Sequence, residues 1–278
     1  MKDILMLAET AAAWHVRFET GAPAPDAIVL ASYGHPLNCR AVAVPVDFAS
    51  ILAQGEAGRA ASGVLELLTI PTGTPLAPDL NRQIEAWPAA GQPRNAVIDV
   101  SLRSTRVLAA GTRAAVFCKP DQIVEAVDGA LRFIALQQAV TRIEREVETN
   151  FDAMASYAAP LQRPPVQDPR AKQARMNDAL GAKVALFGLQ RSIEQFDPAI
   201  PAHSRRLFGD LAASARLEDR MEYLEEPVHA IYDYYDAEAW RKDDKSHFHI
   251  SIFTEVLILV VLLGELGVMI AQYFERTH

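Results

Sequence analysis

Arg216–Asp236, RLEDRMEYLEEPVHAIYDYYD, carries the strongest pattern in the chain. Leu217, Met221, Leu224, Val228, Ile231 and Tyr235 recur at alternating steps of four and three residues. That spacing is an a/d seam of almost three heptads, which predicts a helix with one continuous apolar stripe. The stripe needs a facing helix. Earlier helices of the same chain and a second chain in a coiled coil both satisfy it. Pro227 interrupts the pattern and predicts a kink or a local break. Tyr232–Asp236 reads as an interface or interhelical hydrogen-bonding patch.

Downstream, Ile250–Ile270 is a run of 21 residues rich in Val, Leu and Ile. At about 1.5 Å per residue it reaches about 30 Å, the thickness of a hydrocarbon core. The expectation is one transmembrane helix over 249–274. Glu255 and Glu265 fall within it, about 80° apart at 100° per residue. Carboxyls in a span are costly unless they face protein or water. Gly264 and Gly267 flank Glu265 and permit close helix approach, so these four residues predict association of spans from several copies. Arg241, Lys242 and Lys245 precede the run and Arg276 alone follows it. The positive-inside rule then predicts a tail-anchored protein with its bulk in the cytoplasm and its C-terminus outside. His247 and His249 are weak metal candidates only. Two positions apart on a helix point in different directions, so no metal site and no cofactor is expected.

Upstream, residues 119–248 form the predicted helical region. Pro120 and Asp121 suit a helix start. Val140, Ile143, Val147, Phe151 and Met154 share one face. A proline-rich linker over 160–169 separates that helix from a second over Arg170–Phe196, with Leu180, Val184 and Phe187 as its stripe. Ser204 suits the cap of the third helix. Residues 1–118 read as a mixed α/β domain in the cytoplasm. AIVLASYG, RAVAVPV, GVLELLTIP, NAVIDVSL and RAAVFCK are short apolar runs between turn signals, hence strands. DFASILAQGEAGRAA and DLNRQIEAW predict short helices. ASYGHP, Ala31–Pro36, lacks the glycine frame of a nucleophile elbow and predicts a turn. The start of the chain has an acid at position 3 and no basic, long apolar leader, so it predicts a folded N-terminus rather than a signal peptide. The predicted fold class is therefore α+β: a mixed domain, a long-helix bundle or coiled-coil stalk, and one C-terminal span.

Composition narrows the function. The net charge of -8 argues against a nucleic-acid binder, which needs phosphate-neutralising basic surface. Cys39 and Cys118 show no metal or redox spacing and predict two separate thiols, as in a reducing compartment. The alanine-rich composition suggests a bacterial source. No P-loop, dinucleotide-binding glycine pattern or other catalytic motif occurs in the sequence.

RLEDRMEYLEEPVHAIYDYYDAEAW, KSHFHISIFTEV, the apolar run with Glu255 and Glu265, and LRFIALQQAVTRIEREVE together resemble the family named for "required for meiotic nuclear division", also known as a domain of unknown function. The resemblance covers residues 120–274. It does not extend to the family's aromatic-rich N-terminal strand, and IFTEV stands where the family has a Leu-Glu-Trp-like entry to its span. The resemblance implies a membrane-anchored homo-oligomer without established enzymatic activity. Eukaryotic relatives sit on the mitochondrial inner membrane and support organellar translation. The function expected is a non-catalytic, membrane-anchored, oligomeric scaffold or adaptor at the inner membrane, with an unidentified cytoplasmic protein partner. The alternative is an oligomeric channel or transporter with a path lined by Glu265.

Overall fold

The computed structural model describes residues 10–22, 27–53, 63–90, 97–158, 169–194 and 198–236. Its centre is a seven-stranded mixed sheet: β1 (Ala12–Glu19), β2 (Ile28–Tyr33), β3 (Cys39–Val46), β4 (Val64–Pro71), β5 (Ile98–Leu102), β6 (Thr105–Ala110) and β7 (Arg113–Cys118). The spatial order is β2-β3-β1-β4-β7-β6-β5. β4 pairs with β7 in parallel, and the other neighbours are antiparallel. β4 and β7 are central and covered on both faces, which is why VLELLTIP and RAAVFC are almost continuously apolar rather than alternating.

One face carries two short helices, α1 (Phe48–Ala53) and α2 (Pro78–Ala86). Pro78 opens α2 in the first turn, where its missing N–H costs nothing. Ile51, Ile84 and Trp87 pack there against Leu68, Ile70, Leu108 and Ala115. The other face carries the long helices: α3 (Ile123–Ala158), α4 (Pro169–Glu194), α5 (Ala202–Ser214) and α6 (217–236). α3 starts from a 3-10 turn at Pro120–Gln122 directly after β7. It buries a broad face that includes Ala126, Ala130, Phe133, Ile134, Val140 and Ile143.

The structure corrects the expected fold class. The helices are not a stalk. Leu217, Met221, Leu224, Val228, Ile231 and Tyr235 are all buried, in the same core cluster as Trp14, Leu65, Leu67 and Val116 of the sheet. Arg220 of α6 donates to both carboxylate oxygens of Glu144, at 2.9 and 2.6 Å, and to Thr141 Oγ1 at 3.0 Å, all on α3. Tyr235 donates to Asn150 Oδ1 at 3.3 Å. Lys183 Nζ of α4 lies 4.6 Å from the ring centroid of Tyr232. The apolar seam is thus spent within the chain, and the coiled-coil reading falls with it. Helical continuity persists through Pro227. The break lies instead at Ala215–Arg216, where Arg216 adopts a left-handed φ of 49° and separates α5 from α6. Among the described residues no helix is long and apolar enough to cross a membrane, which removes the single-pass, tail-anchored description of this fold. The expected span over 249–274 lies outside the described residues, as does the linker apart from Pro169.

Two smaller corrections concern α4 and α5. Leu180, Val184 and Phe187 do not face the core; they are 46%, 58% and 70% exposed. Ala179, Ala182, Leu186, Leu189 and Ile193 are buried instead. Ser204 does not cap α5, which begins at Ala202. It is buried inside the first turn, and its hydroxyl donates to Asp128 Oδ2.

Candidate functional site

A cavity of about 610 Å³ opens where the β2–β3 turn meets α3, α4 and α5. Tyr33, His35 and Leu37 form the turn side, Arg132 and Leu136 the α3 side, and Phe187, Gly188 and Arg191 the α4 side. The turn closes locally, with the Asn38 N–H donating to the Gly34 carbonyl at 2.9 Å. Asn38 takes a left-handed φ of 44°, which asparagine tolerates better than most residues. Gly188 lets α4 approach this turn. A Cβ there would lie 2.9 Å from Pro36 Cβ and 3.2 Å from His35 Cε1.

The polar chemistry concentrates on Tyr33 and Arg132. The Arg132 guanidinium lies 4.8 Å from the Tyr33 ring centroid, a cation–π stack. Asp128, one turn earlier on α3, approaches Arg132 at 3.7 Å and accepts from Ser204. The Tyr33 hydroxyl and Arg132 Nε are both buried without a hydrogen-bond partner. Leaving such donors unpaired costs about 1–3 kcal/mol each. Burial first, then the nearby Asp128 carboxylate, pushes the Tyr33 phenol well above its usual range, against the opposing pull of Arg132. The phenol is therefore a donor at neutral pH. Among the described residues the cavity lining contains two arginines and no acidic residue.

Beside the cavity, Leu180, Val184 and Phe187 form an exposed stripe along α4. Val184 and Phe187 are also the cavity rim. A neighbouring recess of about 470 Å³ continues the same surface past His35, Pro36 and Leu180.

Other polar clusters serve the fold. Glu66 and Arg113 are opposite each other on β4 and β7 and form a buried pair at 2.9 Å. Arg113 also reaches the Trp87 and Ala90 carbonyls, each at 3.4 Å, and stacks over the Trp87 ring at 5.3 Å. Cys39 and Cys118 are both free thiols, and burial, aided by Asp121, pushes the Cys118 thiol up to about 12. Thr105 Oγ1 and His203 Nε2 lie 3.0 Å apart and tie β6 to α5.

Among the residues singled out from sequence, the six of the α6 seam come together in the core. Glu255, Gly264, Glu265, Gly267, His247 and His249 lie outside the described residues, and with them the proposed conducting path. Sequence reasoning did not find Tyr33, Arg132 or Arg191. The available signal was ASYGHP, an aromatic and a histidine in a turn directly after an apolar strand; nothing in the spacing linked it to α3. No protein-family model matches the chain, and no curated protein shows significant similarity to it.

Proposed function

We propose that this protein is a non-catalytic, self-associating scaffold or adaptor, in which the exposed α4 stripe joins one copy to another. The carrying observation is the stripe itself. Three large apolar side chains at i, i+4 and i+7 stand exposed on a helix whose opposite face is already packed. Contiguous exposed apolar surface marks interaction sites. A stripe at this spacing is self-complementary: turned about a two-fold axis, it meets its own copy, as closed dimers require. The resemblance of residues 120–274 to a family of homo-oligomers points the same way. The remaining surface is then free for a cytoplasmic protein partner. The finer location, at the cytoplasmic face of the inner membrane, draws support from the apolar composition of residues 250–270 alone.

Sedimentation of the full chain in mild detergent, wild type against Val184→Asp/Phe187→Asp, tests the proposal. The expected result is a dimer or larger for the wild type and a monomer with an unchanged circular dichroism spectrum for the double variant. A monomeric wild type, or an assembly that survives both charges, would overturn it.

A further inference from the structure

We propose that the cavity between the β2–β3 turn and α3–α5 binds a small amphiphilic anion, with a phosphate or carboxylate head at Arg132 and Tyr33 and an apolar body against Leu136, Phe187 and Phe208. The chain as a whole carries a net charge of -8, yet among the described residues this cavity is lined by Arg132 and Arg191 without an acidic residue. A cationic lining in an acidic protein selects for negative charge locally.

The two unpartnered donors sharpen the chemistry. The Tyr33 hydroxyl and Arg132 Nε each lack an acceptor, and both belong to lining residues. An anionic oxygen supplies acceptors for both, and bonds to a charged acceptor are the stronger kind. Arg132 is partly exposed and tethered to Asp128 only at 3.7 Å, so its guanidinium can turn towards an incoming anion. That turn unstacks it from the Tyr33 ring and opens the phenol to the same head group. An amine would meet two arginine side chains in the lining. Inorganic phosphate alone would leave the apolar wall wet. Volume agrees, because about 610 Å³ falls within the range of pockets for small organic ligands. The head-group donors sit on β2 and α3, while Phe187 belongs both to the cavity wall and to the α4 stripe. Variants at Tyr33 and Arg191 leave the stripe intact, so loss of binding and loss of self-association are read separately.

Phenyl phosphate is the probe, with benzyl alcohol, benzylamine and inorganic phosphate as controls, titrated calorimetrically into the full chain in mild detergent. The expected result is one phenyl phosphate per chain and at least about tenfold weaker binding of each control. Tyr33→Phe should weaken phenyl phosphate by about tenfold, the loss of one bond to a charged acceptor. It should not lower the thermal midpoint of the unliganded protein, because its hydroxyl has no partner to lose. Arg191→Gln is the second variant, outside the Asp128 cluster, and should also weaken binding. No heat with phenyl phosphate, equal binding of inorganic phosphate or benzylamine, or unchanged affinity in both variants would each overturn the assignment.

Discussion

The Glu66–Arg113 pair shows what one residue can and cannot reveal. Glu66 is conspicuous in sequence as a charge inside the otherwise apolar run GVLELLTIP, whereas Arg113 merely opens RAAVFCK. Their partnership is invisible there, because it arises only from the parallel register that sets Glu66 beside Arg113. Side-chain exposures of 1% and 8% make it a pair in which neither charge can be left alone. Arg113→Met should therefore cost about 3–5 kcal/mol in chemical denaturation, by stranding a buried carboxylate. Glu66→Leu/Arg113→Met should recover most of that loss, since an apolar pair of similar volume needs no compensation. A single variant losing under about 1 kcal/mol would remove the pair from the account of stability. Tyr33 and Arg132 were harder still to see. Each is an ordinary residue in its own element, and only the packing of α3 against the end of β2 brings them together.

At the scale of elements, periodicity was legible and the partner of each face was not. The α6 seam is buried as its spacing required, but the helices that receive it are α3 and α4 of the same chain. On α4 the larger residues misled. Leu180, Val184 and Phe187 form the more hydrophobic stripe, while the packed face uses Ala179 and Ala182 along with Leu186 and Leu189. Small residues mark close helix approach, a requirement of distance that hydrophobicity alone does not register. Gly129 on α3 is the extreme case. A Cβ there would stand 2.7 Å from the Ser204 carbonyl oxygen and 3.3 Å from its Cα, both backbone atoms of α5. Gly129→Ala should thus destabilise the protein by about 1–3 kcal/mol through overpacking, although alanine favours an isolated helix by about 1 kcal/mol. Thermal unfolding of the variant checks the sign: a raised midpoint would mean that α5 can shift aside without loss.

For the whole molecule, one core cluster runs from the sheet through α3 to α6. Five of the seven strands were legible from apolar runs between turn signals; the pattern at β1 did not separate strand from helix, and β6 was missed because TRVLAA is short and begins with a polar pair. The union of sheet and helices was not legible, since a change of pattern at Lys119 looks the same whether the next element leaves the sheet or folds back over it. The shared core predicts a single unfolding transition. In a Trp240→Phe background, Trp14 and Trp87 report on the two faces of the sheet, and far-ultraviolet ellipticity reports on the helices. Leu224→Ala, at the far side of the bundle, should cost about 2–5 kcal/mol and shift both signals together. Two separated transitions would mean that the helices and the sheet are independent units.

The parallel seam between β4 and β7 has a consequence in folding time. To one side, β5, β6 and β7 are joined by tight hairpins, at Leu102/Thr105 and Ala110/Arg113. To the other, β2 and β3 pair across a short turn and β1 closes beside them. The seam instead joins positions 47 residues apart, as at Glu66 and Arg113, and the β1–β4 pairing closes a stretch as long, as at Trp14 and Thr69, 55 residues apart. Ordering so long a stretch of chain must be offset by contacts that exist only once it is closed. β1–β3 and β5–β7 can thus form as local nuclei, and β4, which joins them through two long closures, is placed last. Only then does α3, leaving β7 through the turn at Pro120–Gln122, have a finished surface to cross.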